Sequence, residues 1–144
     1  MQILSKTEKL ILFLLLPFYL IGIVLHSIGA TLPMMLAFTP YTIFATSVLG
    51  FFFEVKERNK GLLVWAAVTF GVTLFLEIVG VATSLVFGAY TYGPTLGLKL
   101  LGVPLLIGIN WTIIILGIVQ VARTRIANPL AAALVTASLT VLFD

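Results

Sequence analysis

Five long apolar stretches, separated by short polar or Pro/Gly-rich segments, dominate the pattern of this chain. A helix needs about 20 apolar residues to cross roughly 30 Å of hydrocarbon, and the second stretch reaches that length only if residues 32–38 extend it. The pattern predicts an all-α, polytopic integral membrane helix bundle with about five transmembrane helices in a single domain, residues 1–144. The expected spans are about 10–30, 39–53, 62–87, 103–121 and 127–143.

Composition makes the lipid bilayer the natural solvent for these stretches. Hydrophobic residues make up 61% of the 144 residues and charged residues 9%, and the mean hydropathy is +1.24. Soluble domains average roughly 45–50% apolar and about 25% charged residues, so this chain lacks the polar surface that water requires. The absence of cysteine excludes disulfides, thiolate chemistry and Cys-ligated metals. The first stretch exceeds the roughly 7–15 apolar residues of a signal peptide, so we expect a retained span.

The basic residues fall on alternate connections between the predicted spans. In a five-span arrangement, every Lys and Arg except Lys99 lies on one side of the membrane. Cytoplasmic connections are enriched in these residues, so we predict a multi-pass protein of the cell membrane with a cytoplasmic N-terminus and an external segment 88–102. The net charge of +3 then reflects topology, and no nucleic-acid partner is expected. The residues on the cytoplasmic side are Lys6, Lys9, Lys56, Arg58, Lys60, Arg123 and Arg125.

The external segment 88–102 is rich in tyrosine and in residues that interrupt helices. Its glycines and Pro94 favour turns, whereas Tyr90 and Tyr92 suit the level of the lipid headgroups. We therefore expect the segment either to lie on the membrane surface or to re-enter the membrane.

Glu77 is the strongest candidate for chemistry inside a span. Ionisable groups at membrane depth are costly, and they face the interior of the bundle or a wet cavity. Helical spacing places it on one face with small and polar residues that we expect to pack against other helices. A structural role is the alternative, in which a neutral glutamate hydrogen-bonds across helices. The face comprises Thr73, Glu77, Gly80 and Ser84.

Three further polar residues are candidates within the apolar stretches. His26 in the first, Asn110 in the fourth and Asp144 at the end of the fifth join that glutamate in the predicted outer half of the bilayer. A lone histidine or asparagine commonly bonds between helices, and Asp144 has the alternative of reaching water. Trp111, beside the asparagine, either packs or lines an apolar substrate slot. The four polar residues predict a cluster in an apolar pocket, where desolvation favours neutral carboxyl groups, as a general acid requires.

Residues 77–111 contain an ordered set of short motifs: E-x-x-G-V-x-T, F-G-x-Y-x-Y, L-G, G-V-P and the pair N-W. The motif positions are Glu77, Gly80, Val81, Thr83, Phe87, Gly88, Tyr90, Tyr92, Leu96, Gly97, Gly102, Val103, Pro104, Asn110 and Trp111. In these motifs the chain resembles the carotenoid biosynthesis membrane proteins, which include the carotenoid 1,2-hydratases and bisanhydrobacterioruberin hydratase. It departs from them at Ser84 and Val86, where relatives often carry glycine and proline.

The resemblance implies a membrane-embedded carotenoid hydratase. Such a lyase adds water to the terminal double bond of an acyclic carotenoid end and forms a tertiary alcohol. Glu77 is then the expected proton donor, while Asp144 or His26 orients the water or takes its proton. The reaction needs no cofactor and no metal, and its substrate is a lipophilic carotenoid dissolved in membrane lipid. The expected substrate-binding residues are Tyr90, Tyr92, Asn110 and Trp111.

Two other classes of function remain open at this point. A non-catalytic membrane partner or scaffold would bind other carotenoid-biosynthesis enzymes, whereas a small transporter subunit would use its buried polar groups as an ion pathway. The gathering of those groups near one face of the membrane disfavours transport. Relatives continue with further spans beyond the aspartate that Asp144 matches, so the resemblance implies a short or truncated form of a longer family domain.

Overall fold

The computed structural model describes residues 6–55, 60–85 and 88–143, and most of them are helical. This confirms the predicted all-α class. A 3₁₀ turn at Pro94–Leu96 and two short strands, β1 (Lys99–Leu100) and β2 (Val103–Pro104), lie between the third and fourth helices. The helices of the described chain are α1 (Lys6–His26), α2 (Leu32–Val55), α3 (Lys60–Thr83), α4 (Leu105–Arg125) and α5 (Pro129–Phe143).

Four helices of the described chain, α1 to α4, are long and apolar enough to cross a membrane by length and composition. The α2 helix includes residues 32–38, the extension on which its predicted span depends. The α5 helix is also apolar but has 15 residues, which is about 22 Å at 1.5 Å per residue. Large apolar side chains are exposed along these helices, as expected of surfaces that face lipid rather than water. Examples are Phe13, Phe44, Val68 and Leu134.

The ends of α3 and α4 differ by a few residues from the ends of the predicted spans 62–87 and 103–121. The α3 helix ends at Thr83 rather than near residue 87, because Ser84 adopts a left-handed conformation with φ of 57° that ends a helix. The α4 helix begins at Leu105 and continues past residue 121 to Arg125. Basic side chains favour the carbonyl end of a helix, so the charged residues extend α4 beyond its apolar part.

The chain divides into two compact units, Met1–Thr39 and Pro40–Asp144. The first unit holds α1, the turn that follows it and the beginning of α2. In that turn the Thr31 hydroxyl donates hydrogen bonds to the backbone carbonyls of Leu25 and Ile28. The Leu25 carbonyl lies in the last turn of α1, where backbone carbonyls lack helical partners.

In the second unit, α4 packs against both α3 and α5. The α3 and α4 helices approach closely around Gly108, where an added Cβ atom would lie 2.8 Å from the Phe70 ring and 3.3 Å from Cβ of Leu74. A side chain at Gly108 would therefore collide with α3. A Cβ atom added at Gly102, just before α4 begins, would lie 3.7 Å from Val81, near the end of α3. The start of α4 thus lies beside the end of α3, so the two helices are antiparallel.

The strands β1 and β2 form a tight antiparallel hairpin in which Leu100 is opposite Val103. The turn residues Leu101 and Gly102 both have positive φ, 49° and 88°, as in the type I′ turns that hairpins favour. Val103 is fully buried, and β2 packs against α3. The hairpin thus anchors the connection between α3 and α4 against the last turns of α3.

Candidate functional site

Glu77 lies between one and two turns before the end of α3 and is 5% exposed. Leu74 and Gly80 are buried on the same side of the helix, and Thr73 is half-buried. The polar face that the sequence predicts is therefore turned inward as far as Gly80. Ser84, the last member of that face, lies beyond the helix and is exposed.

Among the described residues, three side chains donate hydrogen bonds to the Glu77 carboxyl group. The hydroxyls of Tyr90 and Tyr92 both donate to Oε2, at 2.7 and 2.8 Å, and Trp111 Nε1–H donates to Oε1 at 2.8 Å. All three distances are typical of well-formed hydrogen bonds. Because a carboxyl group is costly to bury without such partners, these donors stabilise Glu77 inside an otherwise apolar helix pair.

Trp111 reaches Glu77 from the neighbouring helix. Side chains on a helix lean towards its N-terminus. In this antiparallel pair, Glu77 therefore leans away from the connection 84–104, while Trp111 leans towards it. The two side chains meet because the glycine at position 108 lets the helix backbones approach closely.

Tyr90 and Tyr92 come from the connection between the two helices. Alternate residues of an extended segment point to the same side, and both tyrosines are half-buried while Thr91 between them is exposed. Their rings meet edge to face, with centroids 5.5 Å apart and an angle of 86° between planes, an arrangement that aromatic pairs favour. The Lys99 ammonium group donates a hydrogen bond to the backbone carbonyl of Tyr92, so the β1–β2 hairpin also holds the tyrosine segment.

The surroundings of Tyr92 keep its hydroxyl protonated. Burial is the main cause that raises the pKa of this phenol above its usual value, and the hydrogen bond to Glu77 and the charge of that carboxyl raise it further. Tyr90 contributes in the same direction. Tyr92 therefore acts as a neutral hydroxyl, able to donate and accept hydrogen bonds at once.

The other candidate residues have different surroundings. Asn110 is half-buried on α4 and is not among the donors to Glu77. His26 belongs to the first unit, where it is exposed; its Nδ1 bonds the carbonyl oxygen of Gly22 at 2.8 Å and its Nε2 bonds the Thr39 hydroxyl at 3.3 Å. Asp144 lies outside the described residues.

Two features of the site are not predicted by the sequence pattern. The pattern gives Trp111 a packing or substrate-lining role, whereas the structure uses its N–H to bind one carboxyl oxygen of Glu77. It treats Lys99 only as a marker of topology, whereas the side chain holds the tyrosine segment. The sequence does contain a signal for the role of Trp111. Its indole N–H can only donate a hydrogen bond, and the preceding span contains an acidic residue that could accept it. For Lys99 the available signal is that it is the one basic residue of the external segment 88–102.

The fold and the site together define a class: a polytopic α-helical membrane protein with a buried, hydrogen-bonded carboxyl group near the end of one helix. Residues 37–144 match the family described as carotenoid biosynthesis protein, and the chain belongs to this family. The match covers most of the chain and every residue bonded to Glu77. It confirms the family indicated by the sequence motifs and gives the protein a role in carotenoid biosynthesis. No curated protein and no solved structure is significantly similar to the chain.

Proposed function

We propose that this protein is a membrane-embedded hydratase that adds water to the terminal double bond of an acyclic carotenoid end. The observation that carries the proposal is the Glu77 carboxyl group, buried in an apolar helix and bonded by three donors. Family membership supports the substrate class. The buried, hydrogen-bonded carboxyl group supports acid chemistry on that substrate.

The proposed reaction begins with proton transfer from Glu77 to the less substituted carbon of the double bond. This leaves a tertiary carbocation, which a water molecule captures to give a tertiary alcohol. The reaction needs a positioned acid, a positioned water and an apolar slot that excludes other water. General acid–base catalysis of this kind contributes roughly 10²–10⁴-fold to a rate, and Glu77 is the residue to which we assign it.

The substrate is a carotenoid dissolved in the bilayer, which enters sideways between helices. The distribution of Lys and Arg supports a cytoplasmic N-terminus in the cell membrane. In that orientation Glu77 and the connection 84–104 lie towards the outer face. Exposed leucines of the connection give this region an apolar surface suited to lipid; they are Leu85, Leu98, Leu100 and Leu101.

The test is expression in cells that accumulate lycopene or another carotenoid with acyclic ends. Wild-type protein should yield a product heavier by one water. Glu77→Gln should abolish this product without loss of membrane insertion, because glutamine has no acidic proton. Glu54→Gln, the same substitution in α2, is the matched control and should retain activity.

Two results would count against the proposal. Absence of hydrated product from well-inserted wild-type protein would overturn the hydratase function. If that protein instead raised the output of a co-expressed carotenoid enzyme, the scaffold function would be favoured. Full activity of Glu77→Gln would remove Glu77 from the role of acid.

A further inference from the structure

The two oxygens of the Glu77 carboxyl group have chemically different partners. Oε1 is bound by the indole N–H of Trp111, which only donates. Oε2 is bound by the hydroxyls of Tyr90 and Tyr92, and a hydroxyl can donate one hydrogen bond while it accepts another. A proton can therefore pass to Glu77 through the tyrosines at Oε2, whereas Trp111 offers no such route at Oε1.

The position of the tyrosines suits a proton route. Glu77 is buried, whereas both tyrosines are half-buried and belong to the connection outside the helices. The tyrosine hydroxyls thus belong to residues that are less buried than the carboxyl group they bond. Each is within 2.8 Å of the same oxygen, so a proton moves from either hydroxyl to Glu77 in one step.

We propose that Tyr90 and Tyr92 are catalytic residues that take the proton released by the attacking water and return it to Glu77. This role rests on the hydratase function proposed above. It assigns the base half of the reaction to the tyrosine pair, and it makes Glu77 ready for the next turnover without a separate base.

Glu77 first gives its proton to the terminal double bond, whose π electrons form the new C–H bond and leave a tertiary cation beside a carboxylate. A lone pair of the water oxygen then forms the C–O bond. As it forms, one water proton passes to a tyrosine oxygen while the proton of that hydroxyl moves to Oε2. One water has been consumed, and Glu77 and the tyrosine are both protonated again.

The raised pKa of Tyr92 is compatible with this role. A phenol that stays neutral does not store negative charge as a base would. It passes a proton on by accepting one and giving one in the same step.

Loss of the hydroxyls leaves the carbocation with a second fate. The Glu77 carboxylate can remove a proton from a methyl group next to the cation, which moves the double bond and restores the Glu77 proton. The product is an isomer with the mass of the substrate. The ratio of isomer to alcohol therefore measures how well water is captured, and it does not depend on the amount of folded protein.

The experiment compares Tyr90→Phe, Tyr92→Phe and the double variant in membranes supplied with an acyclic-ended carotenoid. The double variant should lose alcohol formation by on the order of 100-fold, the lower range of general acid–base effects. Its ratio of isomer to alcohol should rise by at least about 100-fold, because the acid is intact and only the return of the proton is lost. Each single variant should show a smaller change, because the other hydroxyl still binds Oε2.

Two control variants separate the relay from other roles. Trp111→Phe disturbs the acid from the other oxygen, so it should lower both products without changing their ratio. Tyr41→Phe removes a hydroxyl from a tyrosine that is 72% exposed, and it should change neither quantity.

The results that would overturn the relay are distinct from failure of the hydratase function. A parallel loss of isomer and alcohol in the tyrosine variants would show that the hydroxyls only hold Glu77 in place. Undiminished alcohol from the double variant would also overturn the relay. The hydratase function would still stand in that case, because the wild type forms alcohol. If the double variant does not insert, the single variants decide by the same ratio. No alcohol from the wild type would overturn both proposals.

Discussion

Two ionisable side chains in apolar helices, Glu77 and His26, are held in different ways. Glu77 is buried, and its hydrogen-bond donors come from α4 and from the connection that precedes it. His26 is exposed; one of its bonds reaches back a single turn to Gly22, and the other reaches Thr39 in the same unit. Position within a span is therefore not enough to make a site. The difference arises where two helices pack closely enough for distant donors to converge on one carboxyl group.

The largest expected effect comes from removing that carboxyl group. Glu77→Leu leaves the indole N–H of Trp111 and two tyrosine hydroxyls without their acceptor, and each of the three lost hydrogen bonds contributes about 0.5–1.5 kcal/mol. We expect the thermal unfolding temperature in detergent to fall strongly. His26→Leu removes bonds from an exposed residue and should lower it much less. Equal shifts for the two variants would remove the structural distinction between these residues.

The next effect tests the close packing of α3 and α4. A Cβ atom at Gly108 would collide with the Phe70 ring and lie tightly against Leu74, so Gly108→Ala should destabilise the protein by about 1–3 kcal/mol and weaken the contact of Trp111 with Glu77. Gly117→Ala is the matched control on the same helix, since nothing lies within 4 Å of its added Cβ. It should be as stable as the wild type or up to about 1 kcal/mol more stable, because alanine is favoured over glycine inside a helix. Chemical or thermal unfolding of both variants in one detergent makes the comparison, and equal stability would show that α4 adjusts freely.

A smaller loss is expected from Trp111→Phe. The change removes one of three donors but keeps an aromatic ring, and a single hydrogen bond contributes about 0.5–1.5 kcal/mol. Trp65→Phe, the same substitution in half-buried Trp65 of α3, should cost less. Unfolding measurements check the order of the two variants. If Trp65→Phe proved the more destabilising, the indole N–H of Trp111 would have little structural weight.

The smallest effect should come from Lys99, which is exposed and bonds only to the carbonyl of Tyr92. Exposed charged groups contribute roughly 0–1 kcal/mol, so Lys99→Met should hardly change the unfolding temperature. It should instead loosen the tyrosine segment, and chymotrypsin should cleave after Tyr92 faster than in the wild type. Lys99→Arg keeps a donor and should restore the slow cleavage. Unchanged cleavage of Lys99→Met would show that the hairpin holds the segment without this bond.

The apolar stretches predict the helices well because length and composition decide whether a segment crosses lipid. Their ends are predicted less well because local backbone geometry decides them. The α3 helix stops at Thr83 although apolar residues continue, since Ser84 turns to positive φ. Arg123 and Arg125 lie inside α4 although they are charged, because the last turn of a helix favours positive charge.

The candidate site is predicted in part. Glu77 stands out in the sequence because an ionisable group at membrane depth is costly, and the structure buries it. Tyr90 and Tyr92 are predicted as neighbours of a polar site, but their convergence on a single oxygen depends on how the connection folds back. The sequence marks Asn110 as a candidate for the same reason as Glu77, since both are polar residues within a span. The Asn110 side chain nevertheless does not donate to the Glu77 carboxyl group. Only one face of α4 meets α3, and the sequence of α4 does not specify which.

The residues alone establish that this is a polytopic helical membrane protein, that its family is one of carotenoid biosynthesis, and that Glu77 is unusual within its helix. These properties are local, since they depend on the length, charge and order of residues along the chain. The packed structure decides which groups serve Glu77. A glycine at position 108 lets α3 and α4 approach, a hairpin turns the tyrosines inward, and the two carboxyl oxygens receive different donors. Hydrogen bonds act over about 3 Å, so groups many residues apart form a site only when the chain folds.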